Sequence, residues 1–298
     1  MGDLLKRIYK HRTSYFFIAP FYVMFLLFTV FPILWSLRLS FFQIASLAEP
    51  QEFVGFDNLV ALVNPRFGRS ILNTFYYTAV QVPTMMVMAL ILALLLNLKI
   101  KLRSVFRYVY FLPVTCSLVV AAMIFIMIYE PHAGALNLLL DSVGLRSLTY
   151  DWLSDPRTTM PAIILVANWR WTGYQMVIVL AGLQAINPEL YEAAKVDGAN
   201  NWQVTRHITI PLLYPVLFFI AMMSVIGSLQ MFDEPYILTD ITGPLNSTLT
   251  MVGYLFLEGF RYYKLGFAAA VGWAIAIITG FISWFFMRYL SRRAGFVS

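Results

Sequence analysis

The side chains that most often carry acid–base or nucleophilic chemistry are scarce in this sequence. Its histidines, His11, His132 and His207, lie outside the long apolar segments, and Cys116 is the single cysteine. Membrane enzymes and proton-driven transporters need ionisable groups at bilayer depth. The deepest charge is Arg170, and no relay of acids and histidines accompanies it. We therefore expect neither enzymatic activity, nor a metal site, nor coupling to protons, and interpret Cys116 as a packing residue.

Nucleotide chemistry is also missing from the sequence. A phosphate-binding loop needs a lysine that follows a glycine and precedes a serine or threonine, and no lysine here has those neighbours. We expect the chain to bind no cofactor of its own. If it works as an active transporter, ATP must be hydrolysed by partner subunits.

The segments that make up most of the sequence are long and apolar. Of 298 residues, 60% are hydrophobic and only 12% are charged, and the mean hydropathy is +0.73. Charged residues make up about 25% of ordinary globular domains, so a soluble domain and a disordered chain are excluded. About 20 apolar residues cross a bilayer as a helix. Six segments qualify, at roughly 15–37, 71–98, 106–129, 160–183, 212–232 and 266–287.

These segments predict an all-α polytopic membrane protein with one transmembrane domain, 1–298. Most of the 21 basic residues fall in the N-terminal tail, 99–107, 184–211 and the C-terminal tail. Since Lys and Arg stay on the cytoplasmic side, both termini are predicted to be cytoplasmic. This distribution also explains the positive charge without nucleic acid. The first apolar segment is too long for a cleaved signal peptide, so we expect it to be retained as a helix.

Residues within and before the apolar segments predict local features. Prolines at 20, 32, 83 and 113 should bend their helices. Asp57 or Asn58 could cap a short helix that ends before Asn64. A stripe of small residues in the last segment permits close helix contact, either within this chain or with a second subunit; it consists of Ala268, Gly272, Ala276 and Gly280.

The predicted cytoplasmic loop 184–211 is the most informative stretch. Asn187 is a good helix cap, Pro188 suits the first helical position, and Gly198 suits a left-handed stop. Asn200 or Asn201 would cap a second short helix through Trp202 and His207, before Ile210 and Pro211 open the fifth segment. Two short helices predict a compact docking element. The alternative is a helix lying on the membrane, but such helices are usually rich in Lys and Arg.

Two motifs resemble a known family. The first motif and the Ile-Pro pair that follows it resemble, in residue types and spacing, the EAA loop of permease subunits in binding-protein-dependent ABC importers. The motif with its pair consists of Glu192, Ala193, Ala194, Asp197, Gly198, Ile210 and Pro211. The stretch 238–248 resembles a segment of the sugar-permease branch, which includes maltose, lactose and glycerol-3-phosphate permeases. Thr242 stands where that branch usually has a glycine, and Thr205 where it often has an aromatic residue. The stretch 53–59 also agrees with the family.

The resemblance implies a type I ABC importer permease in a bacterial inner membrane. A second permease subunit, with which we expect a heterodimer, would complete the path. A cytoplasmic ATPase dimer would drive it, and an extracytoplasmic binding protein would deliver the sugar. Glu192 would pair with a basic residue of the ATPase, Ala193 and Ala194 would permit close approach, and Gly198 would set the turn.

The segments that flank the EAA loop carry candidates for a sugar path. Sugar sites combine aromatic and hydrogen-bonding groups. The candidates are Trp171, Tyr174 and Gln175 in the fourth segment and Ser228, Gln230 and Met231 in the fifth. Trp171 and Tyr174 could instead be interfacial anchors. A permease for an amino acid or peptide, and a non-catalytic structural subunit of a membrane complex, are the alternative functions.

Overall fold

The computed structural model describes residues 12–44, 51–98 and 101–290, and these are almost entirely helical. The helices are α1 (Arg12–Phe25), α2 (Phe31–Leu39), α3 (Asp57–Val60), α4 (Pro65–Asn97), α5 (Arg103–Thr115), α6 (Leu118–Ile128), α7 (Ala135–Ser142), α8 (Thr159–Gln184), α9 (Pro188–Val196), α10 (Asn201–Val204), α11 (Ile210–Leu229), α12 (Asp233–Thr239), α13 (Met251–Phe256) and α14 (Leu265–Leu290). Within the described ranges, the only strands are β1 (Phe42–Gln43) and β2 (Glu52–Phe53), which pair antiparallel.

The structure describes five or six helices that could correspond to the six predicted segments. In the described part of the chain, five helices are long and apolar enough to cross a membrane, and α5 with α6 makes a sixth if the bent pair is one span. The predicted single helix at 106–129 is wrong, because α5 and α6 meet at 97°. Pro113 has no backbone N–H to donate near the end of α5, and Cys116 has an extended backbone (φ −70°, ψ 141°). The helix therefore ends at Thr115.

The chain divides into two compact units, Met1–Val63 with Leu255–Ala274, and Asn64–Tyr254 with Ile275–Ser298. In the first unit, the Asn58 side chain donates to the carbonyl oxygens of Ser40 and Phe42, each at 3.0 Å. The backbone N–H of Leu265 donates to the Ile44 carbonyl at 2.9 Å. The prediction that Asp57 or Asn58 caps the short helix is therefore wrong. Both residues lie inside α3, and the Asn58 side chain instead stabilises the chain at residues 40–42.

The second unit is built on contacts of α4, α8 and α11. Ala89 and Ala93 on α4 are completely buried, in a cluster with Met176 and Val179 of α8 and residues of α11. The Asn168 amide donates to Thr84 Oγ1 at 2.9 Å and ties α8 to α4. Small side chains allow these helices to approach closely, which is how helices gain packing energy in lipid.

Glycine is required where α8 meets α5. A Cβ at Gly173 would overlap the backbone carbonyl oxygen of Tyr110. Because that neighbour is main chain, it cannot rotate away as a side chain would. The two helices can therefore pack at this distance only with glycine at 173.

Helix α4 begins before the predicted start at residue 71. The Asn64 side-chain oxygen accepts from the Phe67 backbone N–H at 2.8 Å, and Pro65 follows at the first helical position. This cap extends the helix beyond its apolar stretch.

The stretch 233–265, which lies between the fifth and sixth predicted segments, contains regular structure. It includes α12, α13 and a π-helical turn, Leu257–Arg261. The Asn73 amide of α4 donates to the carbonyls of Asn246 (2.8 Å) and Leu249 (3.0 Å), and Thr74 Oγ1 accepts from the Met251 N–H at 3.0 Å. These polar bonds hold residues 246–251 against α4.

The small-residue stripe of α14 has two halves. In the first unit, a Cβ at Gly259 would meet Ala268, and one at Gly272 would lie 3.3 Å from the Leu255 side chain. Contact within this chain therefore uses the first half of the stripe. Ala276 and Gly280 are exposed, so the described residues of this chain do not cover the second half.

Candidate functional site

The loop 184–211, which the resemblance predicts to bind the ATPase and which we call the coupling loop, begins with a well-capped helix. The Asn187 side-chain oxygen accepts from the Glu189 N–H at 3.1 Å, and Pro188 occupies the first position of α9. At the other end Gly198 adopts φ +80°, and the Ala199 N–H donates to the Ala194 carbonyl at 2.9 Å. This is the left-handed helix stop predicted from the sequence.

The second half of the loop runs directly into the fifth span. Asn200 and Gln203 form a reciprocal capping box, with bonds of 2.8 and 2.9 Å. The prediction of a separate second helix is wrong, because α10 continues through a π-helical turn, Thr205–Thr209, into α11. The span therefore covers Asn201–Leu229. Thr205 begins the turn, and its hydroxyl donates to the Asn201 carbonyl at 2.8 Å, so the loop and the fifth span share one continuous helix.

The side chains of the loop divide between surface and interior. Glu192, Ala193 and Asp197 are exposed, whereas Ala194 is buried at 7% exposure. The structure thus places Ala194 in internal packing, so close approach to a partner remains a prediction for Ala193. Two large apolar side chains, Val196 and Trp202, are 88% and 68% exposed.

The loop is also braced against the helices that precede it. With its amide oriented to satisfy both neighbours, Gln184 accepts from the guanidiniums of Arg103 (2.9 Å) and Arg107 (2.7 Å). Thr209 Oγ1 lies 3.4 Å from the Tyr191 hydroxyl, which links α9 to the base of the fifth span. These contacts link the start of the loop to α5, and α9 to the start of the fifth span.

The second candidate site is a cavity of about 330 Å³ within the second unit. Such a volume is at the lower end of the range for small-ligand sites. The residues around it come from α4, α8, α11 and the segment that follows α11; they are Tyr77, Gln81, Met85, Arg170, Trp171, Tyr174, Gln175, Met223, Ser224, Gly227, Ser228, Gln230, Met231, Phe232, Asp233 and Glu234.

The cavity brings together all six residues that the sequence singled out. Trp171, Tyr174 and Gln175 line it from α8, and the predicted residues of the fifth segment line it from α11 and beyond. Gln230 and Met231 lie after the end of α11 rather than inside it. The sequence analysis missed the contribution of α4, although Tyr77, Gln81 and Met85 recur every four residues and so share a helix face.

Polar groups of the cavity are partly satisfied within the protein. The Gln175 amide nitrogen donates to Ser224 Oγ at 3.1 Å, and Ser224 Oγ in turn donates to the Ile220 carbonyl at 2.6 Å. Among the described residues, Gln175 Oε1 has no hydrogen-bond partner, although Gln175 is only 7% exposed. A buried acceptor without a partner is costly, but this oxygen is itself shielded from the cavity, so Gln175 contributes its other atoms to the lining.

Two aromatic rings stand on the wall of the cavity. The Trp171 and Tyr174 rings are 6.2 Å apart, edge to face at 82°, and the residues are 37% and 42% exposed. The Arg170 guanidinium lies 5.3 Å from the Trp171 ring centroid. The arrangement offers flat apolar surface beside hydrogen-bonding groups.

An ion pair that the sequence analysis did not find crosses the cavity wall. Arg170 Nη1 of α8 lies 3.9 Å from Glu234 Oε1 at the start of α12, and the two side chains are 15% and 8% exposed. Burial raises the pKa of the Glu234 carboxyl above its ordinary value, and the Arg170 guanidinium opposes that rise. The two residues are 64 positions apart, and only the fold places them together.

The chain matches known proteins over most of its length. Residues 58–295 match the family model described as "Binding-protein-dependent transport system inner membrane component". The chain is 39% identical over 293 residues to the lactose transport system permease protein LacF of Rhizobium radiobacter, covering 97% of this chain and 96% of LacF. It is 38% identical over 274 residues to the arabinooligosaccharides transport system permease protein AraP of Bacillus subtilis, covering 90% and 85%.

A solved structure has the same fold. It is the crystal structure of a bacterial alginate ABC transporter in complex with an alginate pentasaccharide-bound periplasmic protein. The match has a TM-score of 0.83 and 26% identity, and it covers 98% of both chains.

Proposed function

Because the chain belongs to the family of binding-protein-dependent transport system inner membrane components, we propose that it forms the membrane path of an ATP-driven sugar importer. The chain lies in the inner membrane, as its family and its apolar helices require. The proposal specifies the role of the cavity: it receives a sugar during transport.

The names of the relatives support a sugar as the solute. LacF and AraP are named for lactose and for arabinooligosaccharides, and the alginate transporter is titled for a polysaccharide. Their chemistry is shared, since all three solutes are chains of hydroxyl-rich rings. We propose that the solute here is a mono-, di- or oligosaccharide, or a sugar derivative.

The observation that carries the proposal is the composition of the cavity wall. Trp171 and Tyr174 present aromatic surface, and the exposed side chains of Gln230 and Asp233 bring hydrogen-bonding groups to the same lining. Sugars have apolar C–H faces and many hydroxyl donors, so they need both kinds of group. An interfacial anchor would use the aromatic rings but would not need hydrogen-bonding groups around the same cavity.

Partners complete the proposed transporter. A second permease subunit would supply the rest of the path, and we expect a heterodimer. An ATPase dimer would bind the coupling loop through Glu192 and Ala193, so this chain itself needs no cofactor. An extracytoplasmic binding protein would deliver the sugar.

ATP-driven movement of the loops would then turn the cavity from one side of the membrane to the other, as a two-state change biased by nucleotide.

Removal of the Tyr174 ring should weaken transport. In proteoliposomes that hold the complete importer and its binding protein, Tyr174→Ala is expected to reduce ATP-dependent sugar uptake by about twofold to tenfold, the loss of one aromatic contact. Leu165→Ala is the control, because Leu165 lies on the same helix, is 54% exposed and does not line the cavity. Equal uptake by both variants and the wild type would contradict the proposed path.

The same preparation separates the alternative functions. Uptake of an amino acid or dipeptide, with none of any sugar, would indicate a permease for another solute. A complex that assembles but transports nothing would indicate a structural subunit.

A further inference from the structure

We propose that Gln81 of α4 binds the sugar directly, through a hydrogen bond between its side-chain amide and a sugar hydroxyl. The inference rests on the proposed function, since it concerns the sugar that the same cavity receives. It adds a contact from α4, a helix whose contribution to the cavity the sequence did not reveal.

Gln81 is a buried polar side chain at the centre of a membrane-spanning helix. It lies midway along α4, is only 4% exposed and lines the cavity. Polar side chains at this depth are costly unless they form hydrogen bonds, and they commonly face a neighbouring helix or a cavity. The position of Gln81 on the cavity wall therefore points to a hydrogen-bonding role.

The described residues give Gln81 only a weak partner. Its amide nitrogen donates to the Met85 sulfur at 3.3 Å, and a thioether is a weak acceptor. Its amide oxygen accepts no hydrogen bond from the described residues. Unlike Gln175 Oε1, this oxygen is not among the enclosed, unpartnered atoms of the described chain, so part of it is accessible. Because Gln81 lines the cavity, a ligand there can reach it.

The amide lies on a helix face that is otherwise packed. Tyr77 and Met85, one turn before and one turn after Gln81, line the same cavity and are 3% and 2% exposed. Tyr77 also belongs to a buried apolar cluster. An amide offers both a donor and an acceptor, which suits a hydroxyl group, since a hydroxyl also offers both. We therefore expect α4 to supply a polar contact and α8 to supply the aromatic surface.

A second carboxamide on α4 shows the contrast with a structural amide. Asn73 donates to the carbonyl oxygens of Asn246 and Leu249 at 2.8 and 3.0 Å, and it does not line the cavity. Its two partners are strong acceptors within the chain, whereas the partner of Gln81 is a thioether. This contrast assigns Asn73 to folding and Gln81 to the ligand.

Apolar replacements of similar size should therefore have opposite effects at the two positions. Gln81→Met should weaken sugar binding about fivefold to tenfold, the loss of one hydrogen bond. It should leave the melting temperature unchanged or raise it, because a buried polar group with a weak partner is removed. Asn73→Leu, the matched control, should lower the melting temperature by about 5 °C and leave sugar binding unchanged.

Titration of sugars onto the complete transporter in nanodiscs tests the inference. The binding protein is left out, so that its own selectivity does not enter. Lactose, maltose and arabinotriose are titrated onto the wild type, and the sugar that binds most tightly is used for the variants. Its monodeoxy derivatives then identify the hydroxyl. Removal of the hydroxyl that Gln81 binds should weaken binding to the wild type about fivefold to tenfold and have no further effect on Gln81→Met.

The outcomes separate this inference from the function on which it rests. Binding of none of the three sugars by the wild type contradicts the proposed path, and this inference with it. Equal affinity of Gln81→Met and the wild type overturns the role of Gln81 and leaves the path intact. A Gln81→Met chain that unfolds, or melts as early as Asn73→Leu, also overturns it, since the amide would then be structural. Deoxygenation effects that add to that of Gln81→Met at every position would show that Gln81 binds no hydroxyl.

Discussion

Glu192→Lys should reduce ATP-dependent uptake about 100-fold while the permease chain still folds and inserts. Glu192 is exposed on α9, beside the exposed Ala193, and makes no contribution to the helix cap at Asn187. If it pairs with a basic residue of the ATPase, the substitution both removes the pair and sets two cations together. Loss of a charge pair at an interface costs about 2–5 kcal/mol, which corresponds to about 30-fold to several thousand-fold in affinity.

Co-purification and uptake measure this effect together. The complete importer is solubilised gently, the amount of ATPase retained by the permease is quantified, and uptake is assayed after reconstitution. Glu52→Lys is the control, since it makes the same charge change at an exposed residue of β2, which is not part of the loop. Full retention of the ATPase by Glu192→Lys would show that Glu192 does not contribute to docking.

Gly173→Ala is expected to prevent the normal packing of α5 on α8. The added methyl group would overlap the Tyr110 carbonyl oxygen, so the helices must move apart along their contact. Overpacking costs about 1–3 kcal/mol where side chains can adjust, and more is expected here because the obstacle is main chain. We expect a melting temperature lower by about 10 °C, or loss of the folded protein.

A matched substitution separates the clash from a general effect of alanine. A Cβ at Gly68, near the start of α4, meets nothing within 4 Å. Gly68→Ala should leave the melting temperature unchanged or slightly raise it, because alanine is the better helix former. Thermal unfolding of both variants in detergent, followed by fluorescence size-exclusion chromatography, makes the comparison. Equal melting temperatures would show that α5 and α8 do not touch at Gly173.

Features encoded by neighbouring residues could be predicted from the sequence. The caps at Asn187 and Asn200 and the left-handed Gly198 depend on side chains within a few positions of each other, so the coupling loop was predicted nearly as it is found. The long apolar segments likewise needed only composition. The continuous helix from α10 into α11 was missed, because Pro211 suggested a helix start although it lies inside the span.

Features that depend on tertiary contact could not be predicted in this way. The spacing of Tyr77, Gln81 and Met85 defines a helix face but does not say which neighbour that face meets. Arg170 was recognised as the deepest charge, but its partner Glu234 was assigned to a loop after the fifth segment. The bend between α5 and α6 depends on the end of a helix near Pro113, which sequence alone predicts as a kink within one span.

Photolabelling during turnover tests the central claim, that the cavity is the path of the sugar. A trisaccharide with a diazirine group is supplied to the complete importer, with its binding protein and ATP, and the labelled peptides are identified by mass spectrometry. We predict labelling at 170–175 and 223–234 of this chain, dependent on ATP hydrolysis and suppressed by excess unlabelled sugar. Transport of the probe with labelling elsewhere in this chain, and none in those two segments, would contradict the account.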